Sequence, residues 1–124
     1  MKTYKIFYID DQSYAIPQLI HAFPEDLKYE LVYIQRICDI PEVRDFDLVI
    51  LDFYLDKDTK TALDIIDLFA GNLILSFSSS WKKNELMLSQ WAMYACEKFR
   101  NTNENPKLKE ILGLIFEKAK ILLY

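Results

Sequence analysis

Three aspartates in this chain stand at the ends of apolar runs. YKIFYI leads into Asp10 and Asp11, and LVIL leads into Asp52. A serine, Ser76, lies within a further apolar run, LILSF, and Lys98 follows another, MYACE. Three carboxylates gathered within a few ångströms repel one another and raise each other's pKa unless a hard divalent cation neutralises them. Mg²⁺ suits such a set, because it prefers oxygen ligands in an octahedron and keeps several waters. A carboxylate screened in this way, facing an ammonium and a hydroxyl, is placed to attack phosphorus, since phosphoryl transfer depends mostly on positioning and charge neutralisation. Asp52 is then the candidate nucleophile, Lys98 the cation for the phosphoryl oxygens, and Ser76 a hydroxyl that hydrogen-bonds one of them.

The elements that must position these groups follow from hydrophobic pattern. Residues 4–9 read as a buried strand, and 12–23 as a helix with Pro17 in its first turn and Asp11 or Ser13 as its cap. YELVYIQ, residues 29–35, reads as an edge strand. A short helix is expected from Asp39, with Pro41 in its first turn. DLVILDF, 47–53, is apolar on both faces and belongs in mid-sheet. A helix over 61–69 stops at Gly71, and 72–77 is again a strand. A helix over 82–92, a short strand at 93–97 and a long helix from Pro106 complete the chain, the last with Leu108, Ile111, Leu112, Ile115 and Phe116 as one stripe.

Five strands alternating with five helices imply a doubly wound α/β domain, a parallel sheet joined by right-handed crossovers with helices on both faces. In such sheets the site forms beyond the carboxyl ends of the strands, where strand order reverses. Asp10, Asp11, Asp52, Ser76 and Lys98 all fall on that edge.

Composition narrows the function classes. The 124 residues are 52% hydrophobic and 15% aromatic, enough for one packed core, and 1–124 reads as a single domain with no linker or repeat. A net charge of −4 argues against direct nucleic-acid binding or an electrostatic grip on a membrane. Cys38, Cys96 and the single His21 lack metal-ligand spacing, and both cysteines read as small buried hydrophobes in a reducing, cytoplasmic setting. MKTYKIFYIDD reaches acids at position 10 before an apolar region long enough for a signal peptide, and no run approaches about 18 apolar residues, so a soluble chain without membrane insertion is expected.

YKIFYIDDQ, DLVILDFYLD, LILSF and CEKF, in this order, resemble the receiver domain of two-component response regulators over almost the whole chain. The resemblance implies the flavodoxin-like strand order 2-1-3-4-5. It also implies Mg²⁺ on Asp10, Asp11 and Asp52, with the backbone carbonyl of Tyr54 completing the metal shell. Asp52 would take its phosphate from a sensor histidine kinase or phosphotransfer protein, with Ser76 and Lys98 binding the phosphoryl group. Ser76 and Lys98 are 22 residues apart, the interval that a helix and a short strand require. Ser78, Ser79 and Ser80 are rivals for the hydroxyl.

Several positions depart from the family pattern. Phe77 follows Ser76 where Ala or Gly is usual, which predicts narrower access. Phe99 follows Lys98 where a cis-proline is usual, so the loop that aims the lysine is expected to be built differently. Asp56 and Lys60 replace a proline and a glycine, and Asp56 is a candidate extra acid at the metal mouth. Ala95 stands where an aromatic switch residue is often found, with Tyr94 one residue away and on the opposite face.

Each residue also has an ordinary reading: Asp10 and Asp11 as strand end and helix cap, Asp52 as a turn residue, Ser76 as a buried hydroxyl, Lys98 as a solvated charge. Convergence of the set favours a stand-alone receiver whose output runs through an unidentified downstream protein. Tyr94, the fifth-strand edge and the apolar end Ile121, Leu122, Leu123 and Tyr124 form a candidate partner or homodimer surface. The runner-up is a phosphorylation-independent pseudo-receiver acting as a protein-interaction module. A phosphatase with a DxD motif fits less well, because Gln12 and Tyr54 stand where its second acid would be. Two glycines in the chain leave no Gly-rich loop for a nucleotide or flavin.

Overall fold

Strands form where β-branched and aromatic residues cluster: β1 (Tyr4–Ile9), β2 (Tyr29–Ile34), β3 (Leu48–Leu51), the short pair β4 (Tyr54–Leu55) and β5 (Lys60–Thr61), β6 (Ile74–Ser78) and β7 (Tyr94–Glu97). The computed structural model describes residues 2–42 and 45–122, with side chains through 117. Five strands make one parallel sheet in the order β2-β1-β3-β6-β7, and β4 and β5 form a separate antiparallel hairpin. This is the doubly wound, flavodoxin-like order, with β3 central and β2 at an edge as expected.

Three α-helices are present among the described residues: α1 (Ile16–Ala22), α2 (Trp81–Gln90) and α3 (Pro106–Leu122). Pro17 sits in the first turn of α1, where its missing N–H costs nothing. Ser80 caps α2 by accepting from the Lys83 amide, and Asn105 does the same for Leu108 at the start of α3, with Pro106 as its first residue. Neither of the other two expected helices forms among the described residues. Residues Ile37–Asp39 make only a 3₁₀ turn, because Ile40 precedes Pro41 and is held extended (φ −62°, ψ 125°). In the crossover from β3 to β6 the β4–β5 hairpin uses residues 54–61, and Ala62–Asp64 and Ile66–Phe69 return to β6 as two 3₁₀ turns. A 3₁₀ turn advances about 2.0 Å per residue against about 1.5 Å in an α-helix, so a short segment spans more of the sheet. Gly71 ends the crossover at φ +87°, a conformation that glycine adopts without a Cβ penalty.

The pleat sorts the core into two layers. Tyr4, Ile6, Tyr8, Leu48, Ile50, Leu75, Phe77 and Cys96 pack against α1 and α3, whose stripe Leu108, Ile111, Leu112, Ile115 and Phe116 is buried. Phe7, Ile9, Val49, Leu51 and Ile74 point the other way, against Phe53, Ile66, Phe69 and Met87. Cys96 is buried as expected, whereas Cys38 is exposed, because the turn that carries it never becomes a helix facing the core. Of the apolar C-terminal end, Leu123 and Tyr124 lie outside the described residues, and Ile121 and Leu122 are described only as helical backbone. No described helix is long and apolar enough to cross a membrane.

Phe7 is fully buried between Phe46 and Phe69, with ring centroids 5.0 and 5.2 Å away. Phe7→Ala is expected to cost about 3–5 kcal/mol, from lost burial and the cavity left behind. Urea denaturation checks this through a lower midpoint, and a loss below about 1 kcal/mol would contradict the layer assignment.

Candidate functional site

The ladder of parallel hydrogen bonds continues one residue past the strand ends, and this sets the site. The Asp10 amide donates to the Ile34 carbonyl (3.2 Å), the Asp52 amide to Ile9 (3.1 Å) and the Lys98 amide to Ser78 (3.2 Å). All three side chains therefore leave the carboxyl edge of the sheet at fixed positions, Asp10 and Asp52 at the reversal of strand order between β1 and β3 and Lys98 from the end of β7.

There they meet. The Lys98 ammonium lies 2.6 Å from Asp10 Oδ2 and 2.9 Å from Asp52 Oδ1, with all three residues buried. The Tyr8 hydroxyl, from within the core, also donates to Asp10 Oδ2, while Asp10 Oδ1 accepts the Gln12 amide at 2.9 Å. Asp10, Asp11 and Asp52 each offer a carboxylate oxygen, all within 4.8 Å of one another. A cleft of about 190 Å³ opens over the group, lined by Asp11, Asp52, Tyr54, Asp58 and Lys98 among others. The site thus brings together Asp10, Asp11, Asp52, Tyr54 and Lys98.

Ser76 is not brought to it. Its side chain is fully buried and its hydroxyl donates to Asn84 Oδ1 at 2.7 Å. The same Asn84 oxygen accepts the Ser78 amide (3.2 Å), and its Nδ2 donates to the carbonyls of Ser78 (3.0 Å) and Cys96 (3.2 Å). Asn84 thereby ties the ends of β6 and β7 together, and Ser76 orients it. The serines that line the cleft are Ser78 and Ser79. Phe77 is buried in the core beside Tyr8 and is not among the residues that line the cleft, so the narrowing expected from it does not arise. The small residue Ser79 follows Ser78 instead. β6 extends two residues beyond Ser76, and a clearer sequence signal was the Ser-Ser pair itself, where a small residue follows a hydroxyl.

The hairpin supplies two further features. The Ala62 amide donates to Phe53 O, so Tyr54 opposite Thr61 is a non-hydrogen-bonded pair whose carbonyl points away from the ladder. Asp56, Lys57 and Asp58 have φ of 49°, 58° and 68°, three left-handed residues in succession, and this turn places Asp58 in the cleft. Asp56 turns aside to accept the Ile37 amide at 3.1 Å and lines a neighbouring cleft with Asp11 and Lys57.

No cis peptide is present among the described residues, and another device holds the loop after Lys98. The Gln18 carboxamide on α1 donates to the Phe99 carbonyl and accepts the Phe99 amide at 3.1 Å, gripping that residue as a neighbouring strand would. Asn105 donates to Gln18 Oε1 (3.1 Å) and to Glu97 O (2.9 Å), closing the network onto α3. Ala95 lines a groove with Trp81 and Phe99, whereas Tyr94 packs towards the α1/α3 core, as the one-residue offset predicts.

The electrostatics follow from burial and crowding. Burial, and then the neighbouring Asp10, push the Asp52 carboxyl up to about 7 against the opposing pull of Lys98. Asp11 is raised by burial and by Asp10. Burial draws the Lys98 ammonium down, but Asp52 and Asp10 outweigh it, so Lys98 is raised overall and stays charged. The carboxylates of Asp10, Asp11, Asp52 and Asp58 outnumber the cations Lys98 and Arg100 at the cleft. Oxygen donors at this spacing, with an outward carbonyl beside them, fit a hard divalent cation such as Mg²⁺.

Comparison with known proteins yields no matching family model and no match among curated proteins. Solved structures do match over nearly the full chain. The signal receiver domain of a protein named as a Luxo repressor from Vibrio parahaemolyticus superposes with a TM-score of 0.72 at 17% identity, covering 97% of this chain and 95% of that one. A CheY-like response regulator receiver domain from Methanospirillum hungatei JF-1 gives 0.64 at 17% identity, covering 96% and 98%. The response regulator domain of Thermotoga maritima CheB gives 0.57 at 13%, covering 96% and 95%. The chain has the receiver fold.

Two predictions follow from the buried polar contacts. A folded-state Asp52 value of about 7, above the unfolded one, means that folding favours the protonated carboxyl. That contribution is complete below about pH 4 and is lost as pH rises through about 7. Asp52→Asn is therefore expected to be more stable than wild type at pH 8, by about 2–4 kcal/mol in urea denaturation, with the gap closing towards pH 5. A gap independent of pH would contradict the assignment. Gln18→Ala strands the Phe99 backbone groups and is expected to cost about 2–3 kcal/mol, with Gln18→Glu failing to rescue it because a carboxylate cannot donate to the Phe99 carbonyl.

Proposed function

We propose that residues 1–124 act as one receiver domain that accepts a phosphoryl group on Asp52 and signals through protein contacts. The observation that carries this reading is Asp52 at the sheet edge, beside Asp10 and Asp11 and 2.9 Å from the Lys98 ammonium, under an open cleft. An Asp52 oxygen attacks phosphorus in line, the bond from phosphorus to the donor's leaving group breaks, and the carboxylate becomes an acyl phosphate. Lys98 turns from Asp52 to the new phosphoryl oxygens while keeping its contact with Asp10. Ser78 or Ser79 supplies the hydroxyl, and Ser76 holds Asn84, which fixes the end of β6. Asp10, Asp11, Asp52 and the Tyr54 carbonyl would hold Mg²⁺, which supplies charge screening between the acids and an anionic donor. The donor is a sensor histidine kinase or a phosphotransfer protein. The groove of Trp81, Ala95, Cys96, Glu97, Phe99 and Lys107 is the proposed contact for a downstream protein. The protein is a signalling domain whose only chemistry is its own phosphorylation and dephosphorylation.

One observation favours the second reading, a phosphorylation-independent interaction module. Asp10 is fully buried, with Tyr8, Lys98 and the Gln12 amide already on its oxygens, so it has less left to offer a metal. Acetyl phosphate with and without Mg²⁺, read by intact mass, decides between them. Mg²⁺-dependent labelling that disappears in Asp52→Asn is the expected outcome. No labelling of wild type, or equal labelling of the variant, rejects phosphoacceptor function at Asp52.

A further inference from the structure

The cleft over Asp52 is lined by two cations, Lys98 and Arg100, against the acids Asp11, Asp52 and Asp58. They are not equally available. Lys98 is held by Asp10 and Asp52 at 2.6 and 2.9 Å, so its charge is largely spent inside the site. Arg100 forms no ion pair among the described residues. Its guanidinium stands 4.6 Å from the centroid of the Tyr14 ring, and the same ring lies 5.2 Å from Lys98 Nζ. One aromatic side chain, carried by the turn after β1, therefore collects both cations at the cleft. Phe99 between them has its backbone clamped by Gln18, which fixes where Lys98 and Arg100 leave the chain.

We propose that Arg100, seated on Tyr14, is a second phosphoryl anchor, which captures the incoming dianion before Asp52 attacks. The inference rests on Asp52 as phosphoacceptor and adds the residue that answers the donor's charge. An approaching phosphoryl dianion meets an acidic mouth whose lysine is already engaged. A guanidinium presents paired N–H donors that match two phosphoryl oxygens, and its weaker hydration lowers the cost of leaving water. Stacking on an aromatic face holds the fork without neutralising it. The division of labour is then sequential: Arg100 binds the donor, and Lys98 stabilises the product.

The test is the concentration dependence of Asp52 labelling by acetyl phosphate with Mg²⁺, followed by intact mass. Arg100→Ala is expected to raise the half-saturating acetyl phosphate concentration about tenfold, with less change in the maximal rate, as for loss of one charge-assisted contact. Arg100→Lys should recover part of the loss, and Tyr14→Ala should reproduce part of it, whereas Tyr14→Phe keeps the ring and stays near wild type. Lys109→Ala removes the same charge from a different groove, beside His21 and Phe23, and should leave half-saturation within about twofold if the effect is local and not bulk electrostatics. Normal labelling of wild type with an unchanged half-saturation in Arg100→Ala overturns the assignment and leaves Asp52 as acceptor. If wild type does not label, the functional reading has failed and calorimetry with inorganic phosphate judges Arg100 alone. Binding about tenfold weaker in Arg100→Ala supports the anchor; equal affinity, or no measurable binding by wild type, overturns it.

Discussion

Everything at the carboxyl edge of the sheet turns on one ammonium between two buried carboxylates. Lys98 reaches Asp10 and Asp52 at once, and without it the two acids would face each other across a poorly hydrated gap. The attraction does not cancel the crowding, since Asp52 remains raised to about 7. The folded chain therefore keeps unrelieved negative charge where solvent can bring a compensating cation or a reactive phosphorus. Stability is given up at the point where chemistry is proposed, a common pattern at functional sites.

Holding that arrangement requires polar side chains inside an apolar scaffold. Gln18 and Asn84 are both buried, both carboxamides, and both satisfy backbone groups on two sides at once. Gln18 steadies the peptide that follows Lys98, and Asn84 steadies the strand end that carries Ser78. A carboxamide suits each role because it donates and accepts from one rigid plane. The two helices α1 and α2, on opposite faces of the sheet, each send one such side chain to the site edge.

Much of the fold was legible in the sequence, because strands buried on both faces leave mostly apolar runs. YKIFYI, LVIL and the stretch ending in Ser78 are of this kind, and their alternation with helices constrains strand order. Asp10, Asp11, Asp52 and Lys98 were legible for a related reason: a charge directly after such a run must leave the sheet at its edge. What stayed hidden depended on long-range contact. Whether the β6 hydroxyl at the cleft is Ser76 or Ser78 turns on where the strand ends, and pattern leaves strand ends undetermined by a residue or two. Gln18 lies among the buried positions Ala15, Leu19 and Ala22, so a carboxamide on an apolar stripe was the available signal. Arg100 and Tyr14 carried no local signal, because their association joins residues 86 apart in the chain. Residues 61–69 were read as a helix because Leu63, Ile66 and Phe69 are at helical spacing, a pattern that successive 3₁₀ turns also accommodate, and the turn after β2 because Asp39 and Pro41 suit a helix start.

The two cysteines differ in a way that has practical consequences. Cys96 is sealed in the core, and burial pushes its thiol up to about 12. Cys38 is exposed on the turn after β2, and the neighbouring Ile37 amide is held by the Asp56 carboxylate of the hairpin loop beside the cleft. A thiol-reactive dye would therefore attach at a single position in the native protein, one residue from the contact that couples this turn to the hairpin. The wild-type chain carries its own attachment point for an optical reporter of that loop, with no engineered cysteine needed.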